Sequence, residues 1–330
     1  MKVLVTGSAG HLGEALVRSL QDSPHEPVGI DIKASSYTQA CGCLTDREFV
    51  RHAMQHCDAV IHTATLHKPH VATQTRQDFV DTNITGTLNL LEEAHASGVG
   101  AFVYTSTTST FGDAMRPSAG EPAVWVTETL QPKPKNIYGV TKVAAEQLCE
   151  LFHRNQGLPC LVLRTSRFFP EADDNKNQRQ SFADANLKVN ELLYRRVDIQ
   201  DVVDAHLLAL DKAAELGFDR FIISSATPFQ PADLSELGTD LAAVVRRYFP
   251  HFPDLFDKLG WKMLPTVGRV YDSTRAQERL GWSPVYTFGH ALERLQSGED
   301  YRSPLTHLIG KKGYHDVDFD DGPYPVEPDA

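Results

Sequence analysis

No apolar run in this chain approaches the roughly 20 residues needed to span a bilayer, and the first β-branched stretch starts at Lys2 without a basic, then apolar, segment ahead of it. The expectation is a cytoplasmic protein with no membrane association. Positive charge is in deficit: 32 Lys and Arg stand against 43 Asp and Glu, a formal charge of -11, which repels polyanions and argues against nucleic acid as a partner. Cysteine is scarce. The five present (Cys41, Cys43, Cys57, Cys149 and Cys160) are odd in number and scattered, so they imply no disulfide framework and read as reduced thiols. There is no internal repeat. With 330 residues, 41% of them hydrophobic and 23% charged, disorder and coiled coil are excluded, and one large or two coupled globular domains are expected.

What is present is an alternation. Lys2 to Thr6 is a short β-branched run ending in a glycine-rich turn, after which Gly13 to Ser19 carries apolar residues at helical spacing. Similar strands are predicted at Pro27 to Ile30, Ala59 to His62, Ala101 to Thr105 and Cys160 to Arg164, with helices over Thr82 to Ser97 and Val140 to Arg154 between them. The fold class is therefore α/β, a doubly wound parallel sheet. Beyond Arg164 the rhythm breaks. Pro170 to Arg179 reads as a long exposed loop, Asp201 to Lys212 as a helix, Arg220 to Ser224 as a strand and Ser273 to Leu280 as a helix. We expect a dinucleotide-binding domain over 1–165, a smaller substrate-binding cap over 166–312 interleaved with it, in which 196–225 returns to the sheet, and an acidic surface tail over 313–330.

Thr6-Gly7-Ser8-Ala9-Gly10-His11-Leu12-Gly13 sits between the first strand and the first helix. There Gly7, Gly10 and Gly13 let the backbone turn tightly and approach a pyrophosphate held on the helix N-terminus. Asp31 ends the second strand, where a carboxylate accepts hydrogen bonds from an adenosine ribose and repels a 2′-phosphate; with no arginine beside it, NAD is favoured over NADP. On a helix Tyr138 and Lys142 share a face at i, i+4, an arrangement suited to proton transfer if the ammonium draws the phenol down from its reference pKa near 10. Ser106 to Gly112 forms a hydroxyl-rich loop at the carboxyl end of the sheet, where doubly wound folds bind ligands.

Together with Asp58 to Ala64, Asn83 to Thr87 and Arg195 to Val203, these motifs resemble the extended short-chain dehydrogenase/reductase family, the group of NAD-dependent epimerases and dehydratases built on the Rossmann fold. The resemblance implies Tyr138 as acid/base, Lys142 as its activator and ribose ligand, and Thr107 as the hydroxyl that polarises the reacting C–O group. It also implies that His11 and Leu12 of the turn, Thr63, Ala64 and Thr65 line the cofactor, that Thr105 and Thr165 lie close to the nicotinamide, and that the chain forms a homodimer through the helix bearing Tyr138.

Departures from the family pattern narrow the reading. Thr107 is followed by Thr108 and Ser109 rather than by the acidic pair of sugar dehydratases, which disfavours water loss. Cys43 stands where many members place an Asp for adenine, leaving backbone contacts near Leu44. Arg167 replaces the Asn that nucleotide-sugar enzymes direct at the diphosphate, and Pro170 to Asp201 is short for the insert that clasps the nucleotide. Arg164 to Glu171 resembles the matching segment of uronate dehydrogenases, so Arg167 or Arg179 is a candidate to grip a substrate carboxylate; ion pairs with Glu171, Asp173 or Asp174 are the plainer alternative. His62, His67 and His70 lack the spacing of metal ligands, as do Cys41, Cys43 and Cys57, so no metal is expected. The leading expectation is an NAD-dependent oxidoreductase acting on a small sugar-like or sugar-acid substrate. The alternatives are a nucleotide-sugar epimerase with retained NAD and a non-catalytic NAD-binding regulator.

Overall fold

A computed structural model describes residues 1–118, 120–315, 317, 319 and 322–325. Seven parallel strands form one sheet: β1 (Lys2–Thr6), β2 (Glu26–Asp31), β3 (Ala40–Cys41), β4 (Ala59–His62), β5 (Ala101–Thr107), β7 (Cys160–Thr165) and β8 (Phe218–Ile223). Their spatial order is β3-β2-β1-β4-β5-β7-β8. The chain winds outward from β1 first in one direction and then in the other, so a crevice opens between the carboxyl ends of β1 and β4. Two further strands, β6 (Val124–Val126) and β9 (Arg269–Tyr271), pair in parallel apart from this sheet.

Because both faces are covered, the strands are continuous apolar runs: Val3, Leu4 and Val5 alternate in side but are all fully buried. One face packs against Leu12, Leu16 and Leu20 of helix His11–Gln21 and Val202, Ala205 and Ala209 of helix Ile199–Leu216. The other packs against Leu90, Leu91 and Ala94 of helix Gly86–Ala96 and Ala145, Cys149 and Phe152 of helix Ile137–Gln156. A third apolar cluster, including Leu187, Leu193, Phe229, Val245, Phe256 and Phe288, is built from the later part of the chain. No helix among the described residues is long and apolar enough to cross a membrane.

The structure differs from the sequence reading in instructive places. β5 runs two residues past Thr105, because Ser106 and Thr107 pair with Arg164 and Thr165 of β7; the hydroxyl-rich stretch thus begins inside the sheet. Pro170 to Arg179 is exposed only over 175–177. Glu171 and Asp173 are buried, and Lys176–Ser181 forms a helix capped by the Asn175 side chain, because the acids of this segment find cationic partners. In the stretch expected as a surface tail, Gly313, Tyr314 and Tyr324 line the central cavity, whereas 316, 318, 320, 321 and 326–330 lie outside the described residues.

Candidate active site

A cavity of 830 Å³ opens at the carboxyl edge of the sheet. Its lining includes Gly7, Gly10, His11, Leu12, Gly13, Asp31, Leu44, Thr63, Ala64, Thr65, Thr105, Thr107, Tyr138, Lys142, Thr165 and Arg167. Arg179, the other candidate to grip a substrate carboxylate, is absent from this lining; its Nη1 donates to the Asp173 carbonyl at 2.6 Å.

The glycine turn is required by its geometry. Gly7 has φ +74, and a Cβ on Gly13 would lie 1.9 Å from the Gly7 carbonyl oxygen, so a side chain at either position would break the turn. Gly10 caps helix His11–Gln21 without a side-chain hydrogen bond, which leaves the first helical amides directed at the cavity. Asp31 is fixed at the end of β2, accepting from Ala9 N at 3.0 Å and Lys33 N at 2.9 Å. A carboxylate has lone pairs beyond those two contacts. A side-chain-free cradle, a helix N-terminus and an anchored carboxylate in one cavity fit a dinucleotide with an unmodified adenosine ribose.

At the other end of the cavity, Asn136 caps helix Ile137–Gln156 by accepting from Gly139 N at 3.1 Å, which places Tyr138 in the first turn and Lys142 one turn on. The Thr107 hydroxyl lies close enough to the Tyr138 phenol to act on its acidity, and both line the cavity. Thr107 also accepts from Ser109 N at 3.1 Å, so its orientation is set by its own loop. Lys142 is buried; its Nζ donates to the Thr105 carbonyl at 2.6 Å and lies 4.2 Å from the centre of the Tyr104 ring. Burial pushes the Tyr138 phenol up to about 12, against the lowering influence of the Thr107 hydroxyl. Burial likewise brings Lys142 down to about 7, although Glu146 and Cys149 act to raise it. Burial thus sets the phenol's acidity, with the Lys142 amine donating to the Thr105 carbonyl.

Among the groups that support the site, Glu146 was not evident from sequence. Glu146, one turn beyond Lys142, pairs with Arg164 of β7 at 2.7 Å and accepts from Ser106 Oγ at 2.5 Å, tying the helix to two strands. The i, i+4 step from Lys142 was the available signal. Asn83 holds the loop after β4: its Oδ1 accepts from Leu66 N and its Nδ2 donates to Thr141 Oγ1 at 3.0 Å. His62 points into the sheet, with Thr6 and Thr87 hydroxyls at 2.7 and 3.0 Å. His67 stacks edge-on to Tyr138, ring centres 6.5 Å apart.

Arg167 faces the cavity but is bracketed by carboxylates, contacting Asp173, Asp174 at 3.0 Å and Glu191 at 3.4 Å. Burial works against its charge, yet Glu191, Asp173 and Asp174 outweigh it and hold the guanidinium ionised.

A family model described as the NAD dependent epimerase/dehydratase family matches residues 3–223. A UDP-glucose 4-epimerase of Rhizobium leguminosarum bv. trifolii is 25% identical over 323 residues, which span 88% of this chain and 94% of that protein. A GDP-6-deoxy-D-mannose reductase of Pseudomonas aeruginosa is 28% identical, over 74% and 81% respectively. Among solved structures, a short-chain dehydrogenase/reductase superfamily protein from Agrobacterium tumefaciens with bound NAD superposes with a TM-score of 0.64 at 22% identity, covering 90% of this chain and 96% of that one. A UDP-glucuronic acid 4-epimerase from Bacillus cereus in complex with UDP-glucuronic acid and NAD gives 0.61 at 22% identity, over 93% and 100%.

Proposed function

Because the chain belongs to the NAD dependent epimerase/dehydratase family, enzymes of the extended short-chain dehydrogenase/reductase type that use NAD, we propose that it oxidises a hydroxyl, or reduces the matching carbonyl, of a small sugar-like or sugar-acid substrate. The observation that carries this reading is that Thr107, Tyr138 and Lys142 line the same cavity as the glycine turn. Bound NAD supplies the hydride acceptor. For oxidation Tyr138 must first give up its own proton, and its phenolate Oη then takes the proton of the substrate hydroxyl; for reduction the phenol, the form its burial favours, gives its proton to the carbonyl oxygen, and in both directions the Thr107 hydroxyl orients that oxygen. Lys142 supports the Thr105 carbonyl that edges the site, and adds positive charge near the developing oxyanion whenever it is protonated. Thr108 and Ser109 after Thr107 provide no carboxylate pair for dehydration.

What supports a small substrate is the segment after β7. Asp173 and Asp174 pair with Arg167 and Arg179 donates to the Asp173 carbonyl, so the segment is drawn in against the cavity, where Asp173, Asp174, Asn175 and Gln178 form part of the lining. The carboxylates around Arg167 mean that an acidic substrate must compete with Asp173 and Asp174 for it. The second reading, a nucleotide-sugar epimerase, is favoured by the extent of the match to a UDP-glucose 4-epimerase.

The deciding experiment is to denature the purified protein and measure released dinucleotide per chain, then to follow NAD reduction with a panel of free sugars and uronates. An empty protein that reduces NAD with a free sugar or uronate supports the oxidoreductase. Near-stoichiometric retained NAD together with interconversion of nucleotide sugars would replace it with the epimerase. We also infer a homodimer through helix Ile137–Gln156, on which Val140 and Leu151 are exposed. Sedimentation should give a mass near twice 36.6 kDa, and Val140→Arg should lower it; a monomeric parent protein would refute this assembly.

A further inference from the structure

Residues 312–315 do not simply lie on the surface. Lys312 N donates to Glu171 Oε1 at 3.1 Å, Tyr314 Oη donates to Glu171 Oε2 at 3.2 Å, and His11 Nε2 lies 2.8 Å from Glu171 Oε1. The Lys312 ammonium forms an ion pair with Glu14. The Tyr314 ring meets the rings of His67 at 5.0 Å, Phe169 at 5.9 Å and His11 at 6.0 Å. His315 Nε2 donates to the Pro69 carbonyl at 2.9 Å and its ring packs against His70.

Four consecutive residues therefore reach three separately placed structures: the start of the helix that follows the glycine turn, the loop after β4 and the segment after β7. All three border the dinucleotide cavity, and Lys312, Gly313 and Tyr314 line that cavity themselves. Glu171 is the common anchor. It is 9% exposed, and its carboxylate draws together donors from the glycine turn and from the carboxyl-terminal segment. A buried carboxylate satisfied in this way holds its donors firmly, because leaving either side without the other strands a charged or polar group in the interior.

We propose that Lys312–His315 form a clasp that completes the dinucleotide site, with Glu171 as its positioning residue, so that NAD enters and leaves only when the clasp is released. The proposal rests on the cofactor of the family and not on the choice of substrate. The glycine turn and the loops supply the floor and sides of the site; the clasp supplies the remaining wall. Its contacts are side-chain and amide hydrogen bonds to one carboxylate and ring edges against histidines, few enough to part and reform during turnover.

The test follows release of NADH from the full-length protein by stopped-flow fluorescence, with excess NAD to prevent rebinding, in the parent chain, in Glu171→Gln and in Tyr314→Ala. Tyr314 is peripheral to the main cores, so Tyr314→Ala is the informative variant if Glu171→Gln folds poorly. Release should quicken by at least about tenfold in each folded variant, equivalent to roughly 1.4 kcal/mol. In the parent chain, NADH should also slow tryptic cleavage after Lys311 and Lys312. Unchanged release from folded Tyr314→Ala would overturn the clasp, as would cleavage insensitive to NADH. A change confined to substrate KM, with release unaltered, would also overturn it and assign Tyr314 to the substrate wall. A parent chain that binds no NADH would refute the clasp and the cofactor assignment together.

Discussion

At the scale of single residues, the candidate site works against solvation. Tyr138 and Lys142 both sit where their charged forms are penalised, so the phenol is held up at about 12 and the amine down at about 7. A phenol so placed keeps its proton until a substrate oxygen and neighbouring positive charge favour its loss. Tyr138→Phe should then leave NADH affinity within about twofold while lowering kcat by about 10²–10⁴, the range that a positioned acid/base contributes; kcat near the parent value in a substrate assay would remove Tyr138 from the chemistry. Lys142 also leaves a mark on stability. In the unfolded chain it keeps its proton to about pH 10.4, whereas in the fold it gives it up near 7, so between these values the unfolded state binds more protons and stability gains with rising pH. Lys142→Met lacks this slope. The melting temperature of the variant relative to the parent should be highest at and below pH 7 and should decline steadily toward pH ~9.5; a difference that stays flat across that span would mean the amine is not desolvated.

At the scale of elements, the helix carrying Tyr138 is held by an ion pair rather than by apolar contacts alone. Glu146 and Arg164 are both nearly inaccessible, at 2% and 3% exposure, and Glu146 also receives Ser106. Removing one member of a buried pair leaves the other's charge uncompensated. Glu146→Ala should cost about 3–5 kcal/mol in urea denaturation and displace Tyr138 with its helix; a loss under about 1 kcal/mol would show that water or Glu128 takes over. Much at this scale was legible in the sequence. β1, β4 and the glycine turn were, because a buried parallel strand is an unbroken apolar run and the turn needs residues without side chains. Tyr138 and Lys142 were, because helical spacing alone sets their common face. β3, β6 and β9, of two or three residues each, were not: such short strands exist only through pairing with distant neighbours, Asp31 for Cys41 and Trp125 for Val270. Nor was the burial of Glu171 and Asp173 within Pro170 to Arg179. A polar, acidic segment reads as solvated unless its cationic partners are known, and Lys68, 106 positions away from Asp174, leaves no local trace.

At the scale of the whole molecule, the cavity joins parts of the chain with different jobs. The amino-terminal turns fit a dinucleotide, while Arg167, with Asp173 and Asp174 against it, lines another part of the same cavity. Arg167→Ala separates the two readings of that arginine. If it grips a carboxylate, KM for a uronate should rise at least about tenfold more than KM for the corresponding neutral sugar. If it serves Asp173, Asp174 and Glu191, both should change alike and urea stability should fall.

The tie between Glu14 and Lys312 spans 298 positions. A chain made from its amino end therefore presents the glycine turn long before the residues that cover it exist. At about 5–20 residues per second, that interval is on the order of 15–60 s. The tie cannot form before that time has passed, so the start of helix His11–Gln21 is without this contact from the moment it is made until residue 312 has been added.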